Sequence, residues 1–434
     1  MTETRLLRKD EWRLASALWK YCFGDTDEFI DWYFKRKAGD IIGTFEGDEL
    51  AAQIVLAPLT LSIRGAAKSA VIFSGVATAP AFRRRGYMTA LTRAAFRRLA
   101  EEGVSVASLY PFNYAYYERF GFAGCGETAK VRISLERLAG LKRVEESGEI
   151  RVTNVHDLGK EVATAEATKT SGTSASAEIS AGAETVETAE SSATAETSKT
   201  SALARDLVRA YDSSFSGYSG RSIRDAGYFT SLLEEIALDN GYAAIYSRNG
   251  KEEGYMLYYM EGKTLVVTEI GASSPGSRSG LLSFIGGHAS SMSDATFTCP
   301  LDAPLWRSLP DPRGSVSAEP YNMLRVVDIG QAIRGLQLSA NAGEVVIRVE
   351  DPFAPWNEGV WSFRASHGTL STAKESSDEF PDAPTLSIRE ITRWLTGGGS
   401  AGALLTEGAG LSESQARDMD KLLPPTPFFL YEMY

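Results

Sequence analysis

The spacing of apolar positions changes several times along this chain, and each change predicts an element. In "EWRLASALWKYCF" (11–23) apolar groups recur at Leu14, Leu18, Tyr21 and Cys22, the spacing of one helix face. "DEFIDWYFKRK" (27–37) continues as a second short helix. "IIGTFEGDELAAQIVLAPLTLSI" (41–63) predicts two strands about a Gly47-Asp48 turn, and "SAVIFSGVATAP" (69–80) a third, ended by Pro80. A helix is then expected to open after Gly86 and close before Gly103, with Met88, Leu91, Ala95 and Leu99 inward and Arg93 and Arg97 in water. "VSVASLYP" (104–111) returns as a strand, which completes a βαβ unit in a mixed sheet.

Residues 159–205 are almost wholly Ala, Ser, Thr, Glu and Gly, with no aromatic side chain. Such a stretch buries too little surface to offset its conformational entropy, so a disordered insertion is expected, with an Ala/Glu helix as the alternative. The stretch 207–236 predicts a loop and then a helix; 241–272 predicts three strands with turns at Asn249-Gly250 and Glu261-Gly262, followed by a helix over 279–292. A third unit opens near Tyr321, with strands at 343–351, 359–366 and 368–373 and helices at 387–397 and 412–423. The fold class is α+β.

The length of 434 residues exceeds what one core usually serves, so two or three domains are expected. Three scattered cysteines (Cys22, Cys125, Cys299) and three scattered histidines (His156, His288, His367) provide neither a disulfide framework nor a zinc cluster, so no metal is expected. The N-terminus lacks an apolar signal core, and no run approaches a membrane span, so the expected location is the cytoplasm. The net charge of −11 is uneven: residues 1–140 hold 20 basic against 16 acidic residues, and the remainder 25 against 40. A mildly basic first domain suits an anionic cofactor, and an acidic remainder suits a cationic substrate.

Within that first domain "RRRGYM" (83–88) stands between strand and helix. Amides entering a helix lack intrahelical partners, and with the helix dipole they form an anion site. Gly86 allows close approach, and the arginines add charge-assisted bonds. Nucleic acid is disfavoured, because it calls for a wider basic face with interleaved aromatics. The pattern resembles the acyl-CoA site of the GCN5-related N-acetyltransferases: Arg83, Gly86 and the preceding strand match, with Met88 in place of a small residue. "SLYPFNYAYYERFGF" (108–122) resembles that superfamily's later strand and tyrosine-bearing helix. In such folds two strands splay and pantetheine adds between them.

Along nearly its whole length the chain resembles the Eis-like (enhanced intracellular survival) branch. The resemblance rests on "VATAPAFRRRG" (76–86), "YYERFGF" (116–122), "GYMLYY…VVTEIGA" (254–272) and "LRVVDIGQAI" (324–333). It implies two tandem acetyltransferase-type mixed-sheet domains and a sterol-carrier-protein-like α+β domain. The expected boundaries are 1–140 for the catalytic domain, 141–318 for a cofactor-free second domain interrupted by the insertion, and 319–434 for the third.

The resemblance also implies roles. Tyr117 would be the proton donor to departing CoA thiolate, and the α-carboxylate of Tyr434 the base. The apolar, aromatic ending "FFLYEMY" (428–434) independently has the composition of a buried tail, where an ordinary terminus frays. Acetyl-CoA would be held by Val76, Ala77, Thr78, Arg84, Arg85, Gly86, Tyr87, Met88, Thr89, Phe112 and Asn113, with the amide near Val76 as oxyanion donor. Phe112 is equally a core candidate. Asp25 matches an acidic acceptor-pocket position and equally reads as the N-cap of the 27–37 helix.

The implied activity is acetyl-CoA-dependent N-acetylation of a cationic acceptor (aminoglycoside-like, polyamine or lysine) by direct transfer in a ternary complex, in a homo-oligomer, hexameric by resemblance. The competing expectation is a non-catalytic binding protein with a vestigial acetyltransferase fold and an apolar ligand in its third domain, an idea that rests on Met88.

Overall fold

A computed structural model describes residues 2–141, 148–155, 183–336, 338 and 343–432. The chain forms two compact units, one of 1–127, 217–223 and 320–434, the other of 128–216 and 224–319. The first begins with β1 (Thr2–Leu6), α1 (Trp12–Phe23), α2 (Asp27–Arg36), β2 (Asp40–Glu46), β3 (Glu49–Ile63) and β4 (Ala66–Thr78). There follow α3 (Tyr87–Glu101), β5 (Val106–Leu109), α4 (Tyr114–Glu118) and β6 (Ala123–Gly124). Local chemistry sets the ends. Gly24, in the left-handed region, stops α1, and the Thr26 hydroxyl accepts from the Phe29 amide to start α2.

The second unit contains β7 (Thr128–Ser134), β8 (Glu149–Asn154), α5 (Ala183–Phe215), α6 (Ala226–Leu238), β9 (Tyr242–Arg248), β10 (Lys251–Glu261), β11 (Thr264–Ala272), α7 (Pro275–Gly286), β12 (Asp294–Pro300), α8 (Pro304–Arg307) and β13 (Val316–Glu319). Its sheet runs β13-β7-β12-β11-β10-β9-β8. Residues 183–205 belong to the helix α5, which corrects the expected disorder over that part of the insertion; 159–182 lie outside the described residues. The reason is visible on its C-terminal half, where Leu203, Ala204, Leu207, Ala210, Tyr211 and Phe215 are buried at helical spacing. The start of the expected 207–236 loop is helical for the same reason.

The chain then returns to the first unit with β14 (Met323–Val326), α9 (Ile329–Ile333), β15 (Gly343–Glu350), β16 (Gly359–Ser366), β17 (Thr369–Glu375), β18 (Thr385–Ser387), α10 (Ile388–Thr396), α11 (Ala401–Thr406) and α12 (Glu413–Leu422). The first unit holds a seven-stranded sheet, β1-β2-β3-β4-β5-β14-β6, and a four-stranded sheet, β17-β16-β15-β18. Two strands thus lie across the sequence-based boundaries: β7 pairs in the second unit's sheet, and β14 completes the first unit's large sheet between β5 and β6.

An ion pair fastens β14. Arg325 and Asp351 are both fully buried with contacts of 2.8 Å, and the guanidinium lies 4.2 Å from the centroid of Phe96 on α3. Asp351 also accepts from the amides of Phe353 and Ala354 and from Asn357, so its charge is fully solvated by the protein. Phe73, Phe96 and Phe122 meet with centroids 5.6–5.9 Å apart, which binds sheet to helix α3 in one apolar cluster.

Candidate active site

Two neighbouring central strands part at the middle of the large sheet. β4 and β5 pair in parallel only at Ala70–Val106, Val71–Ala107 and Ile72–Ser108. On its other side β4 slips register against β3, since Gln53 faces Ala77 but Val55 faces Ser74. Gly75 and Val76 therefore face no register partner, and Gly75 takes φ +52°. This is a β-bulge, and it turns β4 away from β5. The wedge leaves the Val76 to Thr78 edge of β4 open toward β5, where an extended ligand can add as a strand.

Beyond the wedge comes the arginine turn. Arg84 and Gly86 both have positive φ (+64° and +80°), and Gly86 is the N-cap of α3 without any side-chain cap. Left-handed residues alternating in a turn curl their N–H groups into an anion-binding concavity. Arg84, a non-glycine held there, carries strain of the kind stored at binding loops. The arginines behave differently. Arg83 donates to the Thr78 carbonyl at 3.2 Å, Arg85 pairs with Glu46 at 3.2 Å, and Arg84 is exposed with no partner among the described residues. Tyr87 donates to Glu46 and Thr89 is half-buried. Met88 is buried beside Leu91 and Ala95, so the core absorbs its bulk and the turn is not narrowed.

Across the wedge, Tyr117 is buried, packed on Phe112 (5.5 Å), Tyr116 (5.1 Å) and Phe122 (6.2 Å). Its hydroxyl has no hydrogen-bond partner among the described residues. Burial, helped by neighbouring Tyr116, raises its pKa, so the phenol keeps its proton. Asn113 caps α4, accepting from the Tyr116 amide at 2.9 Å. Phe112 is 75% exposed, which overturns its reading as core.

Asp25 does not cap α2; Thr26 does. Its carboxylate instead accepts from the Trp19 indole at 2.7 Å, and Trp19 packs on Gly75 of the bulge. Beside them Tyr33 donates to Ser74 at 2.7 Å. Trp19, Gly75 and Glu46 escaped the sequence reading. A glycine inside an apolar strand is a bulge signal that points to Gly75, whereas nothing local marks Glu46 as the partner of Arg85 and Tyr87.

The C-terminal segment is tucked into the first unit through Glu432. Ser219 exchanges backbone bonds with Pro427 (2.8 Å) and Phe429 (2.9 Å), and Asn322 donates to the Leu430 carbonyl at 3.0 Å. Glu432 is buried, accepting from Ser222. Tyr431 meets Tyr321 at 4.7 Å, and Tyr321 meets Tyr110, the residue following β5, at 4.8 Å. Tyr434 itself lies outside the described residues. Within the described residues no group of three or more His, Cys, Asp or Glu is arranged to hold a metal, and no helix is long and apolar enough to cross a membrane.

Comparison with known proteins gives three domain matches. Acetyltransferase (GNAT) domains match at residues 3–125 and 220–326, and a sterol carrier protein domain matches at 329–430. An uncharacterized N-acetyltransferase of Streptomyces avermitilis is 23% identical over 94% of this chain and 92% of its own length. A conserved protein of unknown function from Enterococcus faecalis V583 superposes with a TM-score of 0.80 at 22% identity, covering all of both chains. Eis1 from Mycobacterium abscessus superposes with a TM-score of 0.71 at 20% identity, also over all of both chains.

Proposed function

We propose that this chain, an N-acetyltransferase with two GNAT domains ahead of a sterol carrier protein domain, transfers acetyl from acetyl-CoA directly to an amine of a cationic acceptor in a ternary complex. The observation that carries this reading is the wedge between β4 and β5, which opens directly onto a helix N-terminus left uncapped at Gly86.

The residues fit the co-substrate. The open edge at Val76, Ala77 and Thr78 suits the amides of pantetheine, and the concavity at Arg84, Arg85, Gly86, Tyr87, Met88 and Thr89 suits pyrophosphate. Phe112 and Asn113, both exposed in the segment after β5, are the remaining contacts of the co-substrate in this reading. An N–H from the bulge at Val76 supplies the oxyanion donor, prearranged before charge develops. Tyr117 gives its proton to the departing sulfur; its raised pKa keeps it protonated until then.

The acceptor amine, with a pKa near that of lysine (about 10.4), must shed a proton. The α-carboxylate of Tyr434 takes it through water, a role consistent with a tail whose Tyr431 is two ring contacts from the end of β5. Asp25, held by Trp19, faces a cationic acceptor with negative charge. Hexameric assembly and a cytoplasmic location complete the proposal. Met88 no longer favours a vestigial binding fold, since its side chain is core.

The test is a panel of aminoglycosides, polyamines and lysine peptides incubated with acetyl-CoA, read by thiol release. Amine-dependent release with a cationic member is expected. Calorimetry showing no acetyl-CoA binding would sink the enzyme reading outright.

A further inference from the structure

Two arginines on the outer side of α3 and α4 have no carboxylate to serve. Arg93 on α3 and Arg119 just after α4 are exposed, and neither makes an ion pair or hydrogen bond among the described residues. Both are nevertheless held in place. Arg119 lies over Tyr116 (4.2 Å to the centroid) and Phe120 (4.5 Å). Arg93 lies over Phe353 at 4.8 Å, and Phe353 meets Phe120 edge-on at 5.2 Å. One continuous aromatic shelf thus carries a guanidinium at each end. It joins the site at Phe112, whose exposed ring is 5.1 Å from Tyr116.

The shelf is fixed from beneath. The Phe353 amide donates to Asp351, which is locked to the buried Arg325. A guanidinium stacked on a ring gives up little further freedom on binding, and its in-plane N–H groups stay available for a phosphate. Neighbouring Arg98, by contrast, is neutralised by Asp40 and Glu102.

Arg93 follows the Gly86 cap by seven residues, roughly 10 Å down the helix. Beyond its pyrophosphate, CoA still carries a ribose with a 3′-phosphate, a dianionic monoester that needs a partner. We infer that Arg93 and Arg119 form the subsite for the 3′-phosphate of CoA, distinguishing CoA from its 3′-dephospho form. This rests on the acetyl-CoA reading above. The chemistry is recognition of a phosphate monoester by two stacked arginines.

The experiment measures the Kd of CoA and of 3′-dephospho-CoA by calorimetry for the full-length protein, the Arg93→Ala/Arg119→Ala double variant, the double lysine variant and an Arg13→Ala control. The wild type and control should bind CoA roughly tenfold tighter or more. In the double alanine variant the two constants should converge through loss of CoA affinity, with dephospho-CoA binding unchanged. The lysine variant should recover part of the gap, and inorganic phosphate should compete more against CoA than against dephospho-CoA. An unchanged CoA preference in the double alanine variant, or no preference in the wild type, overturns the subsite alone. Failure of the wild type to bind either nucleotide overturns the acetyl-CoA reading with it.

Discussion

The indole of Trp19 lies against the backbone of Gly75: a Cβ there would come within 2.4 Å of the ring. Gly75 also needs its φ of +52°, which side chains rarely adopt. Gly75→Ala thus combines a clash with backbone strain at the residue that turns β4 from β5. We expect a stability loss of roughly 2 kcal/mol or more, and a fall in kcat/KM larger than the lost folded fraction explains. Urea unfolding and steady-state kinetics on the same preparation check both. Full activity with an intact melting transition would mean that the bulge does not shape the site.

Tyr117 allows a sharper separation of roles. Tyr117→Phe keeps the ring contacts with Phe112, Tyr116 and Phe122 and removes only a hydroxyl that has no described partner. Stability should scarcely change, acetyl-CoA affinity should hold, and kcat should drop roughly 10²- to 10⁴-fold. The pH dependence has a definite sign. Because burial raises the phenol above its ordinary value of 10.0, Tyr117 keeps its proton throughout the neutral and mildly alkaline range. The wild-type kcat should therefore show no descending limb from this group below pH 10. An unaffected kcat in the variant returns Tyr117 to a packing role.

These residues were legible to different degrees, for physical reasons. The α3 helix and the strand before it could be read because period, glycine and proline all act over a few residues. The place of β14 could not, since a strand at 323–326 pairs with one at 106–109 through contacts that leave no local pattern. Nor could the Arg325–Asp351 pair, whose members look like surface residues in sequence and are fully buried in the fold. The helix after residue 183 was legible only as the alternative to disorder, because alanine and serine outnumber the buried Leu203, Leu207 and Tyr211 that anchor it. Asp25 was singled out by resemblance, and nothing in the sequence marked Trp19 as the residue that holds it.

The second unit repeats the register slip but not the uncapped helix start. Between β10 and β11 the register slips by one residue at Thr268, and parallel pairing of β11 with β12 ends at Val266. Yet α7, the counterpart of α3, starts with Ser274 and Ser277 capping each other and Pro275 in the first turn. Glu253 accepts from Ser274 at 2.5 Å, which places a carboxylate where an incoming phosphate would need to sit. Beside the bulge, Arg224 and Glu269 form a buried pair at 2.7 Å, joined by the Tyr255 hydroxyl at 2.9 Å. We therefore expect one CoA per chain by calorimetry. Binding of two equivalents would show that the self-capped helix still takes phosphate.

The last prediction concerns the chain end. Phe428 is clamped between Gly126 and Gly220, where a Cβ on either glycine would come within 2.5 Å of its ring. Asn322 and Ser222 then hold Leu430 and Glu432, so the approach to the terminus is fixed rather than frayed. If the terminal carboxylate accepts the amine proton, moving it by a few appended residues removes the base while the wedge between β4 and β5 stays intact. A short Gly/Ser extension after Tyr434 should cut kcat by at least roughly 10²-fold and leave the acetyl-CoA Kd within about twofold. Amidation of the native terminus by semisynthesis, which preserves every side chain, should have the same effect. An extended protein that turns over at the wild-type rate would exclude the carboxylate and move the search for the base to Asp25.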